Sequence, residues 1–170
     1  RSLGRILDRM DRYDMWKDTM LIVNTDHGFL LTEHDWGGKV CEPIYDEIAH
    51  TPFFLWDPRS GVCGERRQAL CQTIDIAPTL LDYFQVPIPK DVQGKPLREV
   101  VASDQKIRDY ALFGLHGFHV NVTDGRYVYM RTPVREHLTE IYDYLQTPTS
   151  YPNSITLDKL RQSELVWGYE

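Results

Sequence analysis

Apolar residues Leu3, Ile6, Leu7, Met10 and Tyr13 recur at the spacing i, i+3, i+4, i+7, i+10, which predicts an amphipathic helix over 3–13, with Ser2 as its cap. A polar connection around Trp16 follows. Met20-Leu21-Ile22-Val23 then runs without interruption into Asn24-Thr25. A short continuous run of aliphatic and β-branched residues predicts a buried parallel strand. Residues 26–40 lose all periodicity and hold Gly28, Gly37 and Gly38, so they read as a long loop of the kind that carries function. Residues 43–49 suggest a helical turn carrying Asp46 and Glu47. Pro52-Phe53-Phe54-Leu55-Trp56 predicts a second strand, ended by the turn residues Asp57-Pro58-Arg59-Ser60-Gly61. Residues 75–84 predict a helix with Asp75 as N-cap, Pro78 in its first turn, and Ile76, Leu80 and Phe84 as an apolar stripe.

After Ser103 the pattern changes. Residues 110–115, 119–122 and 126–131 predict short strands, with Asp124-Gly125 as a hairpin turn. Residues 141–144 suggest another strand and 155–167 a terminal helix. Helix, loop, strand and functional loop make the repeating unit of an α/β sheet. The chain therefore divides into an α/β portion to about residue 100 and a small antiparallel sheet with a closing helix.

The chemistry concentrates in Asn24-Thr25-Asp26-His27-Gly28. A carboxylate and an imidazole sit side by side where a strand runs out into a loop, and adjacent oxygen and nitrogen donors there suit a divalent metal. Gly28 is expected to let the backbone turn sharply. Lys39, later in the same loop, adds a cation and implies an anionic substrate. Two ligands cannot fill a calcium shell of about six to eight oxygens, so this chain alone is expected to bind metal weakly.

The order of these segments resembles the C-terminal part of a sulfatase, in the alkaline phosphatase superfamily. The resemblance rests on the helix near the N-terminus, on Leu21 through Gly28, on Glu33-His34 and Gly38-Lys39, and on His50-Thr51-Pro52-Phe53-Phe54. It continues through Thr73-Ile74-Asp75-Ile76-Ala77-Pro78-Thr79-Leu80-Leu81, Gly94-Lys95-Pro96-Leu97, Asp124-Gly125-Arg126-Tyr127-Val128-Tyr129 and Glu140-Ile141-Tyr142-Asp143. It implies an α/β fold: part of an alkaline-phosphatase-like sheet with flanking helices over 1–102, then a small antiparallel β-sheet subdomain with a C-terminal helix over 103–170. It implies that Asp26 and His27 bind one divalent ion, with calcium, manganese and zinc all open. Lys39 resembles the family lysine that touches the substrate's anionic group. His34 is open between contacting substrate, donating a proton to the leaving group, and being an ordinary loop histidine.

The resemblance also implies what is missing. The family's nucleophile, a formylglycine made from Cys in C-x-P-S-R or a Ser or Thr there, lies upstream of the Asp-His-Gly segment, as do the paired aspartates. Cys41-Glu42-Pro43 lacks the Ser-Arg and follows the metal loop, so it is not that nucleophile. The activity implied is sulfate-ester hydrolysis by a longer chain, with this fragment alone inactive. A phosphodiesterase or phosphonate monoester hydrolase, and an inactive binding module, are the alternatives. The expected partners are a small anionic ester and a missing N-terminal portion of the same chain. An uncovered apolar face and sheet edge would favour self-association.

Composition changes this picture little. The formal charge of −6, from 25 acidic and 19 basic residues among 170, argues against nucleic acid or an anionic membrane as partner. No apolar run reaches bilayer-spanning length. Cys41, Cys63 and Cys71 are an odd set without zinc spacing, which points to reduced thiols and a cytoplasmic location, with a Cys63–Cys71 disulfide left open. His50 and Asp75 are expected to be structural; His116 and His119 fall in the C-terminal sheet. Trp36 either lines a pocket mouth or covers the loop, and Asn121-Val122-Thr123 fits a glycosylation sequon.

Overall fold

The computed structural model describes residues 2–39, 44–114 and 119–132. They lie in one compact unit, Arg1–Pro133. The expected elements at 141–144 and 155–167, with Cys41 and His116, lie outside the described residues. Helix α1 (Ser2–Arg12) leads through a 3-10 turn at Met15–Lys17 to strand β1 (Leu21–Asn24). The loop beyond it folds into a minimal hairpin, β2 (Leu30–Leu31) against β3 (Gly37–Gly38), then the single-turn helix α2 (Asp46–Ala49) and strand β4 (Phe53–Trp56). Helices α3 (Ile76–Tyr83) and α4 (Arg98–Ser103) precede the sheet β5 (Ala111–Gly114), β6 (Val120–Thr123) and β7 (Val128–Arg131).

Strand β1 is not a buried parallel strand. It pairs antiparallel with β4, Leu21 opposite Trp56 and Asn24 opposite Phe53, and its apolar residues are half-buried. Among the described residues, the connection between the two strands holds the β2–β3 hairpin, a 3-10 turn at Glu33–Asp35 and the one turn of α2. The stripe on α1 is likewise mostly uncovered: Met10 is buried, while Leu3, Ile6 and Tyr13 are exposed.

The predicted antiparallel sheet is present, with register Phe113–Asn121–Met130 across β5, β6 and β7. Its hairpin turns at Asp124-Gly125. The Asp124 carboxylate accepts the backbone N–H groups of Arg126 (2.8 Å) and Tyr127 (2.7 Å), and Gly125 adopts φ +91°.

Asp75 does not cap α3. It is fully buried, and its carboxylate accepts the backbone N–H groups of Gln72 (2.7 Å) and Lys95 (2.9 Å) and the Arg108 guanidinium. Thr79 Oγ1 in turn accepts the Leu97 N–H at 3.0 Å, and a Cβ on Gly94 would sit 2.0 Å from the Ile74 carbonyl oxygen. The segments Thr73–Leu81 and Gly94–Leu97 are thus one packed module, bolted to the chain before β5 by a buried ion pair.

The cluster that matters for the site is small. Leu30 (0% exposed), Ile44 and Ile48 form it, with Tyr45, Ala49 and Phe113 packed around. It places β2, α2 and the third sheet on one apolar base.

Candidate metal and anion site

Asp26 and His27 follow β1 directly. The Asp26 carboxylate accepts the His27 N–H at 3.0 Å and the Thr25 hydroxyl at 3.3 Å. The His27 N–H, more than any other group, holds the Asp26 carboxyl below the ordinary aspartate value. The His27 ring has its Nδ1 2.8 Å from the Gly28 carbonyl oxygen. A carbonyl oxygen only accepts, so Nδ1 carries the hydrogen and a neutral ring has its lone pair on Nε2. That Nε2 lies 3.4 Å from Asp26 Oδ2. Two electron-pair donors face each other, and they attract only when a proton or a cation lies between them.

The separation suits a metal ion. Donor distances of about 2.1 Å for zinc or about 2.4 Å for calcium, subtending roughly 90–110°, put two ligands about 3.0–3.9 Å apart. The Asp26 side chain is 82% exposed and the His27 side chain 35%, so both can be reached from solvent. Among the described residues, no group of three or more His, Cys, Asp or Glu is placed to hold a metal.

Gly28 is needed here for a reason other than a sharp turn. Its φ is not in the left-handed region. Instead its N–H donates to the Ile48 carbonyl at 2.8 Å, and a Cβ would fall 1.7 Å from the Glu47 carbonyl oxygen. Close approach of α2 excludes any side chain.

His34 also reaches this one-turn helix. Its ring stacks on Tyr45 with centroids 3.7 Å apart and planes 6° from parallel, and Nε2 lies 3.3 Å from both Glu47 carboxylate oxygens. Lys39 is exposed, one residue past the Leu30–Gly38 pair of the β2–β3 hairpin. Asp26, His27, His34 and Lys39 all belong to the segment between β1 and α2, which also carries Leu30 of the apolar cluster. Two clefts on the described surface lie elsewhere, one of about 550 Å³ between α1 and the start of β1.

Other candidates separate from this group. Trp36 is half-exposed, and His50 is exposed with its ring 3.3 Å from Asp46. His119 Nε2 lies 3.2 Å from Thr132 Oγ1. Cys63 and Cys71 are free and exposed. Although the residue as a whole is exposed, neighbouring protein partly shields the Cys71 sulfur from water, and this, then the charge of Asp75, pushes its thiol up to about 11. Asn121 is fully buried in β6, so its sequon is closed to a glycan in the folded chain. Both its amide nitrogen and its oxygen lack hydrogen-bond partners.

The comparisons with known proteins agree with the order of segments. The C-terminal profile of N-sulphoglucosamine sulphohydrolase matches residues 32–165. The chain belongs to the sulfatase family. It is similar to an N-acetylglucosamine-6-O-sulfatase of Bacteroides thetaiotaomicron, 30% identical over 105 residues that cover 62% of this chain and 18% of that protein. It is similar to an arylsulfatase of Clostridium perfringens, 31% identical over 122 residues covering 69% and 24%. This sulfatase chain thus spans about a quarter or less of the curated relatives' length.

Two solved structures share the fold. One is the phosphonate monoester hydrolase of Silicibacter pomeroyi, with TM-score 0.68, 25% identity, and coverage of 76% of this chain and 29% of that one. The other is a protein captured with its substrate D-glucosamine-2-N,6-O-disulfate, with TM-score 0.65, 24% identity and coverage of 76% and 28%. The α/β, alkaline-phosphatase-like class read from the sequence holds, with small antiparallel sheets in the described part.

Sequence reasoning missed Tyr45 and Glu47 as partners of His34. Glu47 lies thirteen residues from His34, beyond any periodicity that pairs side chains.

Proposed function

We propose that this chain is the C-terminal portion of a metal-dependent sulfatase-family hydrolase that cleaves sulfate esters. The observation that carries the reading is the convergence of Asp26 Oδ2 and His27 Nε2 at 3.4 Å, with the ring oriented by the Gly28 carbonyl. Metal-ligating histidines are usually oriented by such a second hydrogen bond. A divalent ion there, calcium or alternatively manganese or zinc, supplies charge that polarises a sulfuryl oxygen and lowers a nucleophile's pKa.

Asp26 and His27 offer two ligands; the nucleophile and the other ligands come from a preceding portion of the protein. Lys39 holds the ester's anionic group as a point charge. His34 meets the substrate as well. The names of the relatives, sulfatases of amino sugars and of aryl esters, support sulfate as the group transferred. The proposed site residues Asp26, His27, His34 and Lys39 all fall within residues 1–102. A cytoplasmic location is part of the same proposal.

The second reading is a phosphodiesterase or phosphonate monoester hydrolase, favoured by the TM-score of 0.68 to such an enzyme. The test is an assay of the full-length protein on aryl sulfate, aryl phosphodiester and aryl phosphonate, with calcium and manganese in turn. Lys39→Ala is expected to lower kcat/KM for the preferred ester at least about tenfold, equivalent to about 1.4 kcal/mol. Unchanged kinetics remove Lys39 from the site, and no turnover of any ester by the full-length protein favours an inactive binding module.

A further inference from the structure

We propose that Glu47 and Tyr45 are positioning residues that hold the His34 ring so that Nδ1 is the atom offered to the substrate. This rests on the reading of His34 as substrate-facing. Three non-glycine residues around it adopt left-handed backbone: Thr32 at φ 89°, His34 at φ 57° and Asp35 at φ 58°. Such conformations persist only where surrounding contacts over-determine them, and a β-branched residue at Thr32 makes this one costlier still.

Two contacts restrain the ring in different directions. Tyr45 stacks flat against its face, which fixes the plane. Glu47 fixes rotation within that plane, with Nε2 3.3 Å from each carboxylate oxygen. A carboxylate accepts, so Nε2 donates its hydrogen and the lone pair of a neutral ring sits on Nδ1. A base or donor oriented from behind by a third group is the arrangement that catalytic histidines require.

The orienting helix is itself fixed to the metal loop. The backbone of α2 touches Gly28 through Ile48 and Glu47, while its side chains at positions 45 and 47 touch His34. One turn of helix thereby sets the distance between the Asp26–His27 pair and the His34 ring. Ile48 anchors that turn in the apolar cluster.

The test uses the full-length protein with [15N]histidine and long-range proton–nitrogen correlation, at a pH where His34 is neutral. The expected result is the Nε2–H tautomer in the parent protein and in Glu47→Gln, whose amide oxygen still accepts. In Glu47→Leu the preference is lost. In kinetics, Glu47→Leu is expected to lower kcat by about tenfold or more with KM within about twofold, while Glu47→Gln restores most of the rate. The Glu47→Leu effect is expected to vanish in a His34→Ala background. Tyr45→Phe keeps the stack and Tyr45→Leu loosens it, which supplies a second series if Glu47→Leu folds poorly. An Nδ1–H tautomer in the parent protein, or an equal Glu47→Leu loss with and without His34, overturns the assignment. The expected tautomer together with full activity in His34→Ala instead retires the substrate-facing reading, and the role of Nδ1 with it.

Discussion

Replacing Gly28 by alanine is the sharpest test of how the metal loop is held. The new Cβ would lie 1.7 Å from the Glu47 carbonyl oxygen, and ordinary contact begins at 3.4 Å, so loop or helix must retreat by about 1.7 Å. That retreat breaks the 2.8 Å bond from Gly28 N–H to the Ile48 carbonyl. Overpacking of a tight contact costs about 1–3 kcal/mol, and a lost hydrogen bond adds about 1. The sum, about 2–4 kcal/mol, corresponds to a Tm lowered by roughly 4–16 °C for a chain of this size. Because His27 precedes Gly28, a displacement above about 1 Å also moves the proposed ligand out of position, worth roughly a hundredfold in rate if His27 holds the metal. Thermal melts of Gly28→Ala and Gly37→Ala make the comparison. Gly37 has open space for a Cβ and is outside the left-handed region, so its variant is expected to melt with the parent. If Gly28→Ala melts alongside Gly37→Ala, the close approach of α2 is not what fixes the loop.

Two further outcomes concern stability. The buried Asp57 is opposed by its own burial, yet the Arg59 hydrogen bonds and charge outweigh that and hold its carboxyl below the ordinary value. A depressed native pKa gives stability that is present above the unfolded value of about 3.9 and is lost as pH falls through the native one. Arg59→Ala strands this carboxylate and is expected to cost about 3 kcal/mol at neutral pH, with stability lost at a higher pH than in the parent; urea midpoints from neutral to acid pH check both. Asn121→Leu removes two buried unpaired polar atoms and is expected to stabilise by about 1 kcal/mol. A lower Tm would mean that the amide has a partner in solution.

Local pattern was legible and long-range pairing was not. The α1 and α3 periodicities, the β1 run and the Asp124-Gly125 turn are each set by residues a few positions apart, and each formed close to where expected. The orientation of β1 was misread because a continuous apolar run does not say which way its partner runs. The antiparallel register with β4 settles that, and the partner lies about thirty residues further along the chain, beyond any periodic signal. Asp75 was misread because its partner Arg108 lies thirty-three residues away, and a carboxylate before a helix looks the same whether it caps or pairs. Gly28 was rightly singled out for the wrong reason, since only the path of α2 reveals the close approach.

The same division runs through the site. The Asp26–His27 pair is organised by its neighbours: the His27 N–H polarises Asp26, and the Gly28 carbonyl fixes the ring, all within three residues. Such a donor pair can be read from a tripeptide. Its aim relative to His34 and Lys39 cannot, because aim is set by Leu30, Ile44 and Ile48, which carry no chemistry and look like any core. Loss of the apolar base should therefore leave the tripeptide's own hydrogen bonds intact while scattering the residues that must meet one substrate. In this loop the proposed donor pair is a local property of the sequence, and its relation to the other proposed site residues is a property of packing.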